Sequence, residues 1–171
     1  MQIRAILNPG TYHGIGQKPP FFEGWYFKLV SADEKSKIAI IPGVILGRDA
    51  HAFVQVIDGS DGNTEYFTFP LDQFQADFPQ FQLSIGANQF DSSHLRVDIQ
   101  QPEGQISGEI KFGGLNPWPV RLFSPGVMGW YAWVPKMECY HGVLSFDHSL
   151  QGKLTLNGKE MDFGGGRGYI E

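Results

Sequence analysis

KIAIIPGVILGRDAHAFVQVIDGSDGNTEYFTF, residues 37–69, decides the fold class of this chain. Residues 37–46 form a nearly continuous apolar run, with a break or bulge expected at Pro42-Gly43. HAFVQVI, residues 51–57, reads as a second strand, stopped by Asp58-Gly59 and by the turn signal Asp61-Gly62. TEYFTF follows at once, so residues 53–69 are expected to fold back as a hairpin. Two-residue alternation dominates, and the helical period is almost absent.

The same pattern extends in both directions. In FFEGWYFKLV, residues 21–30, a strand puts Glu23, Trp25 and Phe27 on one face and Phe22, Tyr26 and Lys28 on the other. Further strands are expected at residues 81–85, 94–99, 105–112, 137–146, 153–156 and 168–171. The chain has 22 glycines and 11 prolines, enough to end many short strands. Turn signals recur roughly every eight to twelve residues, the spacing of an antiparallel barrel or sandwich. One all-β domain over residues 1–171 is expected, an up-and-down antiparallel β-barrel with a β-sandwich as the alternative. One connection, residues 113–129, has no strand pattern but carries four glycines, three prolines, Trp118 and Phe123. Its apolar residues need somewhere to pack, so it is expected to cover a cavity mouth.

Composition narrows the partners. The 171 residues suffice to bury a sizeable core; charged residues make up 18% and aromatics 14%. A formal charge of −5 and the lack of a basic run argue against nucleic acid or an anionic membrane as the main partner. The single cysteine, Cys139, permits no internal disulfide and fits a reducing compartment. No apolar run approaches the roughly 20 residues of a transmembrane helix, and no signal peptide is evident, so a cytoplasmic protein is expected.

Candidate chemistry gathers in SPGVMGWYAWVPKMECYHGVLSFDHSL, residues 124–150. Trp130, Tyr131, Trp133 and Tyr140 surround Glu138, Cys139, His141, Asp147 and His148. On a strand over 137–146, Glu138 and Tyr140 share one face and Cys139 and His141 the other. His141 and His148 also fall on opposite faces, so no metal site is expected. Cys139 reads as a small buried apolar residue. GGGRG, residues 164–168, lacks the Lys-Ser/Thr of a phosphate loop and reads as a bulge or tight turn. What is left is general-acid chemistry. Glu23 beside Phe22 and Trp25, or Glu138 near Trp133 and Tyr140, would stay protonated in apolar surroundings. Nearby rings could stabilise a carbocation. The alternative is that each carboxylate simply pairs with Lys28, Lys136, Arg121 or Arg167.

PPFFEGWYFKL, HAFVQV, SPGVMGWYAWVPKMECYHGVLSFDHSLQGKL and MDFGGGRGYIE, taken together and in this order, resemble the tocopherol cyclase family. The likeness spans about residues 19–171. It implies a lipocalin-like, calycin-type barrel and a cofactor-independent reaction on a prenylated quinol. In that reaction the prenyl double bond is protonated and the quinol oxygen traps the cation, closing the chromanol ring of vitamin E. Related barrels hydrate carotenoids or prenyl chains, and a non-enzymatic binder of a hydrophobic isoprenoid is a further alternative. Either Glu23 or Glu138 is the candidate proton donor, with His141 as a supporting or alternative acid–base group. The implied substrate-binding residues are Trp25, Phe53, Gln55, Trp130, Tyr131 and Tyr140; no metal or cofactor is expected. Family members continue past GYIE into a second barrel-forming half. The resemblance therefore covers an N-terminal half, and residues 168–171 are expected to form an unpaired edge suited to a second barrel or a homodimer partner.

Overall fold

The structure, a computed structural model, describes residues 7–77, 79–134 and 139–171. The strands are Phe21–Gly24 (β1), Phe27–Val30 (β2), Lys37–Leu46 (β3), His51–Asp58 (β4), Thr64–Phe69 (β5), Phe74–Ala76 (β6), Gln82–Ile85 (β7) and Asn88–Asp91 (β8). They continue as His94–Gln101 (β9), Gly104–Gly113 (β10), Val120–Arg121 (β11), Ser124–Pro125 (β12), Ser145–Leu156 (β13), Lys159–Asp162 (β14) and Arg167–Ile170 (β15). Two single turns of 3-10 helix, Leu71–Gln73 and Gly129–Trp133, are the helical elements described.

One sheet runs β5-β4-β3-β2-β15-β13-β10-β9-β8-β7-β6, with β1 pairing β3 and β14 pairing β13. It is antiparallel and nearly closed, a barrel of the lipocalin-like kind rather than a sandwich of two sheets. Its two outermost strands, β5 and β6, are joined through residues 70–73. Phe67 from one end of the sheet and Leu83 and Ile85 from the other share a single core with Phe27, Phe90 and Ile110. Curling the sheet removes most of its edge and buries one face of each strand.

Two expectations about strands give way to pairing. β3 is not broken at Pro42; the interruption falls in its neighbour, where residues 25–26 separate β1 from β2. Proline offers no N–H to a ladder, and its carbonyl instead accepts from Trp25 N–H at 2.9 Å. The C-terminal strand is not an edge. β15 is paired on both sides, Tyr169 lying opposite Lys28 of β2 while Gly168 lies opposite His148 of β13. The backbones of Glu171 and Tyr26 add two reciprocal hydrogen bonds at 2.7 and 3.0 Å. Partner docking by strand addition at residues 168–171 is therefore closed off.

The strand expected over 137–146 is also absent from residues 139–144, and β13 begins at Ser145. Leu144 N–H still reaches Ile170 O, but the next residue of that neighbour, Glu171, is already paired with Tyr26. Residues 139–143 have no ladder to join. Within residues 113–129, Val120–Pro125 form a small separate hairpin, β11–β12, whose Leu122 and Phe123 point into solvent. Leu115 packs against the core and Pro125 is buried, but the tip of this segment does not cover a mouth as expected.

Candidate functional site

The barrel interior is occupied by the protein's own rings. Trp25 stacks on Phe74 and Phe81 at centroid distances of 6.5 and 6.3 Å. Phe27 continues the series with Phe81, Phe112 and Phe90 at 6.0, 5.9 and 5.8 Å. Phe112 meets the edge of His148 at 4.9 Å. Surface hollows of about 410 Å³, near Gln101 and Asn157, and about 150 Å³, near Gln75 and His94, are lined mainly by polar residues. None of the residues singled out from the sequence lines either.

His148 is held inside by a bulge. Between the pairs Ser145↔Ile170 and His148↔Gly168, β13 carries one residue more than β15. That extra residue shifts the alternation, so Ser145 and His148 both face inward while Phe146 and Asp147 face outward. Ser145 Oγ donates to Asp147 O at 3.0 Å and lies 3.0 Å from His148 Nδ1. With the hydroxyl proton committed, His148 Nδ1–H is the donor and Nε2 is a bare lone pair. That Nε2 is buried without a hydrogen-bond partner, against Gly168, where an added Cβ would sit 2.2 Å away. Burial holds the His148 pKa below its ordinary value, with the charge of Asp147 opposing.

Glu23 lies in the short strand β1 on its more buried side, with Phe21, as alternation requires. Its carboxylate accepts from His13 N–H at 2.8 Å and meets His13 Nδ1 at 2.5 Å. The expected lysine or arginine partner is replaced by a histidine that local sequence did not mark. Tyr12 joins this end of the barrel, its ring 6.3 Å from Phe21, 6.4 Å from Trp25 and 5.2 Å from Phe74. Burial and then the charge of Glu23 raise the Tyr12 pKa. Trp25 itself donates to Gly10 O at 3.1 Å.

His141 belongs to a second polar group on the outer wall. Its Nδ1 lies 2.7 Å from Glu171 Oε1, and Tyr169 O–H donates to Glu171 Oε2 at 2.8 Å. Burial, the bond to Glu171, that carboxylate's charge and Tyr26 push the Tyr169 pKa up to about 12. Around the polar group stand Tyr26 and Phe146, each 6.3 Å from Tyr169, and Trp118, 5.3 Å from Phe146. Tyr26 comes from EGWYFK, His141 from MECYHG, and Tyr169 with Glu171 from GRGYIE. Three separate motifs thus meet at one place, and only His141 had been singled out.

The other expected site residues scatter. Phe53 and Gln55 lie on the face of β4 opposite the core residues Ala52, Val54 and Val56. Phe53 stacks on Tyr66 at 5.1 Å. Trp130 and Tyr131 stack on each other at 4.0 Å and are exposed. Tyr140 O–H donates to Val134 O at 2.6 Å. Cys139 is exposed rather than buried, because residues 139–144 form no strand with an inner face. Glu138 lies outside the described residues. Arg167 binds Asp147 through two hydrogen bonds at 2.9 and 2.6 Å. Among the described residues no cluster of three or more His, Cys, Asp or Glu could hold a metal, and no helix is long and apolar enough to cross a membrane. Comparisons with protein-family models, with curated proteins and with solved structures returned no match for this chain.

Proposed function

We propose that this domain belongs to a tocopherol-cyclase-like protein and takes part in proton-initiated ring closure of a prenylated quinol. The observation carrying the reading is the meeting of Tyr26, His141, Tyr169 and Glu171 beside Phe146 and Trp118. A carboxylate between a histidine and a phenol can take or give a proton, and the adjoining ring faces suit an apolar chain and a developing cation. Glu23 stands in the separate polar group at the end of the barrel, hydrogen-bonded to His13.

In this scheme the carboxyl of Glu171, held between His141 and Tyr169, gives its proton to the less substituted carbon of the prenyl double bond, forming a C–H bond and a tertiary cation. The quinol oxygen then forms the C–O bond of the ring. Its proton passes to Glu171 and His141, so the reaction is an isomerisation needing no cofactor. Glu23 and Glu138 are retained as alternative donors, with Trp130, Tyr131 and Tyr140 as substrate-contacting residues.

Incubation with a prenyl benzoquinol, followed by mass spectrometry and chromatography, tests this reading. Chromanol formation lost in Glu171→Gln and kept in Glu23→Gln is the expected result. Substrate that binds without any product sinks the cyclase assignment. A second reading, a non-enzymatic isoprenoid binder, rests on the exposed rings of Trp118, Trp130 and Tyr131; the ring-filled interior counts against a ligand held inside the barrel. It predicts quenching of tryptophan fluorescence by isoprenoids, with no turnover and no dependence on either glutamate.

A further inference from the structure

Hairpin turns of two residues ordinarily use Asn, Asp and Gly, which satisfy the backbone and face water. The β11–β12 turn uses Leu122 and Phe123 instead. Phe123 is 97% exposed and Leu122 53%, so neither packs against the barrel. Val127, Trp130 and Tyr131, in the residues that follow the hairpin, are exposed as well, and so is Trp118 before it. Residues 113–134 contain no aspartate or glutamate and one arginine, Arg121, although the whole chain carries a net charge of −5. Among the described residues no packing accounts for an apolar tip on an acid-free segment.

We infer that the β11–β12 hairpin is a lipid-surface anchor, inserting Leu122 and Phe123 among acyl chains with Trp130 and Tyr131 at the interface. A protein partner would need a pocket shaped for so prominent a ring, whereas a fluid bilayer accommodates a convex tip of any shape. Trp and Tyr side chains favour the headgroup level, where an apolar body and a polar edge are both accommodated. The absence of acids removes the repulsion that the rest of this chain would meet at an anionic leaflet.

The hairpin is tied to the polar group on the outer wall. Asn116 N–H donates to Ser145 Oγ at 3.1 Å, Phe146 N–H donates to Asn116 O at 2.9 Å, and His141 N–H meets Met128 Sδ at 3.1 Å. Trp118, Phe146 and Tyr169 then form a run of rings from this segment to Glu171. A prenylated quinol dissolved in a membrane would enter along that run. This extension rests on the proposed function, but the anchor itself does not.

Vesicle sedimentation separates the two. The full chain is mixed with phosphatidylcholine vesicles, with and without phosphatidylserine, and no quinol is present. The expected result is binding, with a blue shift of tryptophan emission, weakened at least about tenfold by the double change Leu122→Ser and Phe123→Ser. Circular dichroism of that variant should match the parent, since both side chains are exposed. Failure of the parent to bind, or equal binding by the variant, overturns the anchor. So does concentration-dependent dimerisation abolished by the same variant, which would assign the tip to a second copy. Absence of chromanol synthesis leaves vesicle binding unchanged and bears only on the cyclase reading.

Discussion

Replacing Gly168 by alanine tests how the bulge, the buried histidine and the GRGYIE motif fit together. The new Cβ would lie 2.2 Å from His148 Nε2 and 2.8 Å from Cδ2 and Cε1. Gly168 is not among the glycines with positive φ, so alanine is not resisted by the backbone itself. The cost comes from moving the imidazole. Overpacking of a filled core costs about 1–3 kcal/mol. Displacing the ring also loosens its bond to Ser145, worth about 0.5–1.5 kcal/mol. The smaller unfolded-state entropy of alanine returns about 0.4–1 kcal/mol. A net loss of about 2 kcal/mol is expected, or about 4–8 °C in midpoint for a domain of this length. Denaturant melts followed by tryptophan fluorescence would measure it.

The control is a double-mutant cycle. In a His148→Ala background the space that the new methyl needs is already vacant. Gly168→Ala should then cost almost nothing, giving a coupling energy of about 2 kcal/mol. If Gly168→Ala is neutral in the parent, or costs the same in both backgrounds, then His148 is not the group in conflict. The account of the bulge given above would be wrong.

Three further outcomes follow from the same geometry. His148 has a folded-state pKa below its ordinary 6.5, so both folded and unfolded chains hold it neutral above that pH. As pH falls below it the unfolded chain takes the proton first, and stability drops until the folded pKa is reached, then levels off. His148→Asn should flatten that part of a stability profile measured by denaturant melts; an unchanged slope refutes the assignment. Glu171→Gln should bring the Tyr169 titration down from about 12 toward 10.0, but not fully, because burial is the larger cause. Phenolate absorbance, with Tyr169→Phe to identify the signal, reads this directly, and no movement would mean that Glu171 does not influence the phenol. Cys139 should react with a thiol reagent in the native protein at a rate near that of the unfolded chain. Strong protection before unfolding would restore the buried reading.

Strand formation was legible wherever one face met the core. β3, β4 and β5 were marked by apolar runs and Asp-Gly turns, and β9 and β10 by alternation such as HLRVDI, where Leu95, Val97 and Ile99 are inward. The three- and four-residue strands β6, β8 and β14 escaped, because so few residues display too little period to register. His13 escaped for a different reason. Its pairing with Glu23 spans ten residues and a cis Pro19-Pro20 bond, and no local pattern encodes that contact.

Alternation and turn chemistry are properties of neighbouring residues, and the sequence by itself determined from them an antiparallel all-β chain with Trp25 and Phe27 on one face; that this face is the inner one came from the tertiary structure. Which strands pair is a long-range matter. Only the tertiary structure decided that residues 167–170 lie between β2 and β13 instead of at an edge. It also decided that one extra residue in β13 reverses the parity around His148. The apparent cluster of Glu138, Cys139, His141, Asp147 and His148 dissolves accordingly, with His148 inside, Asp147 bound to Arg167 and His141 bound to Glu171. Side-chain period is a local quantity that a single bulge can reset, whereas the meeting of Tyr26, His141 and Glu171 depends on how the sheet curls.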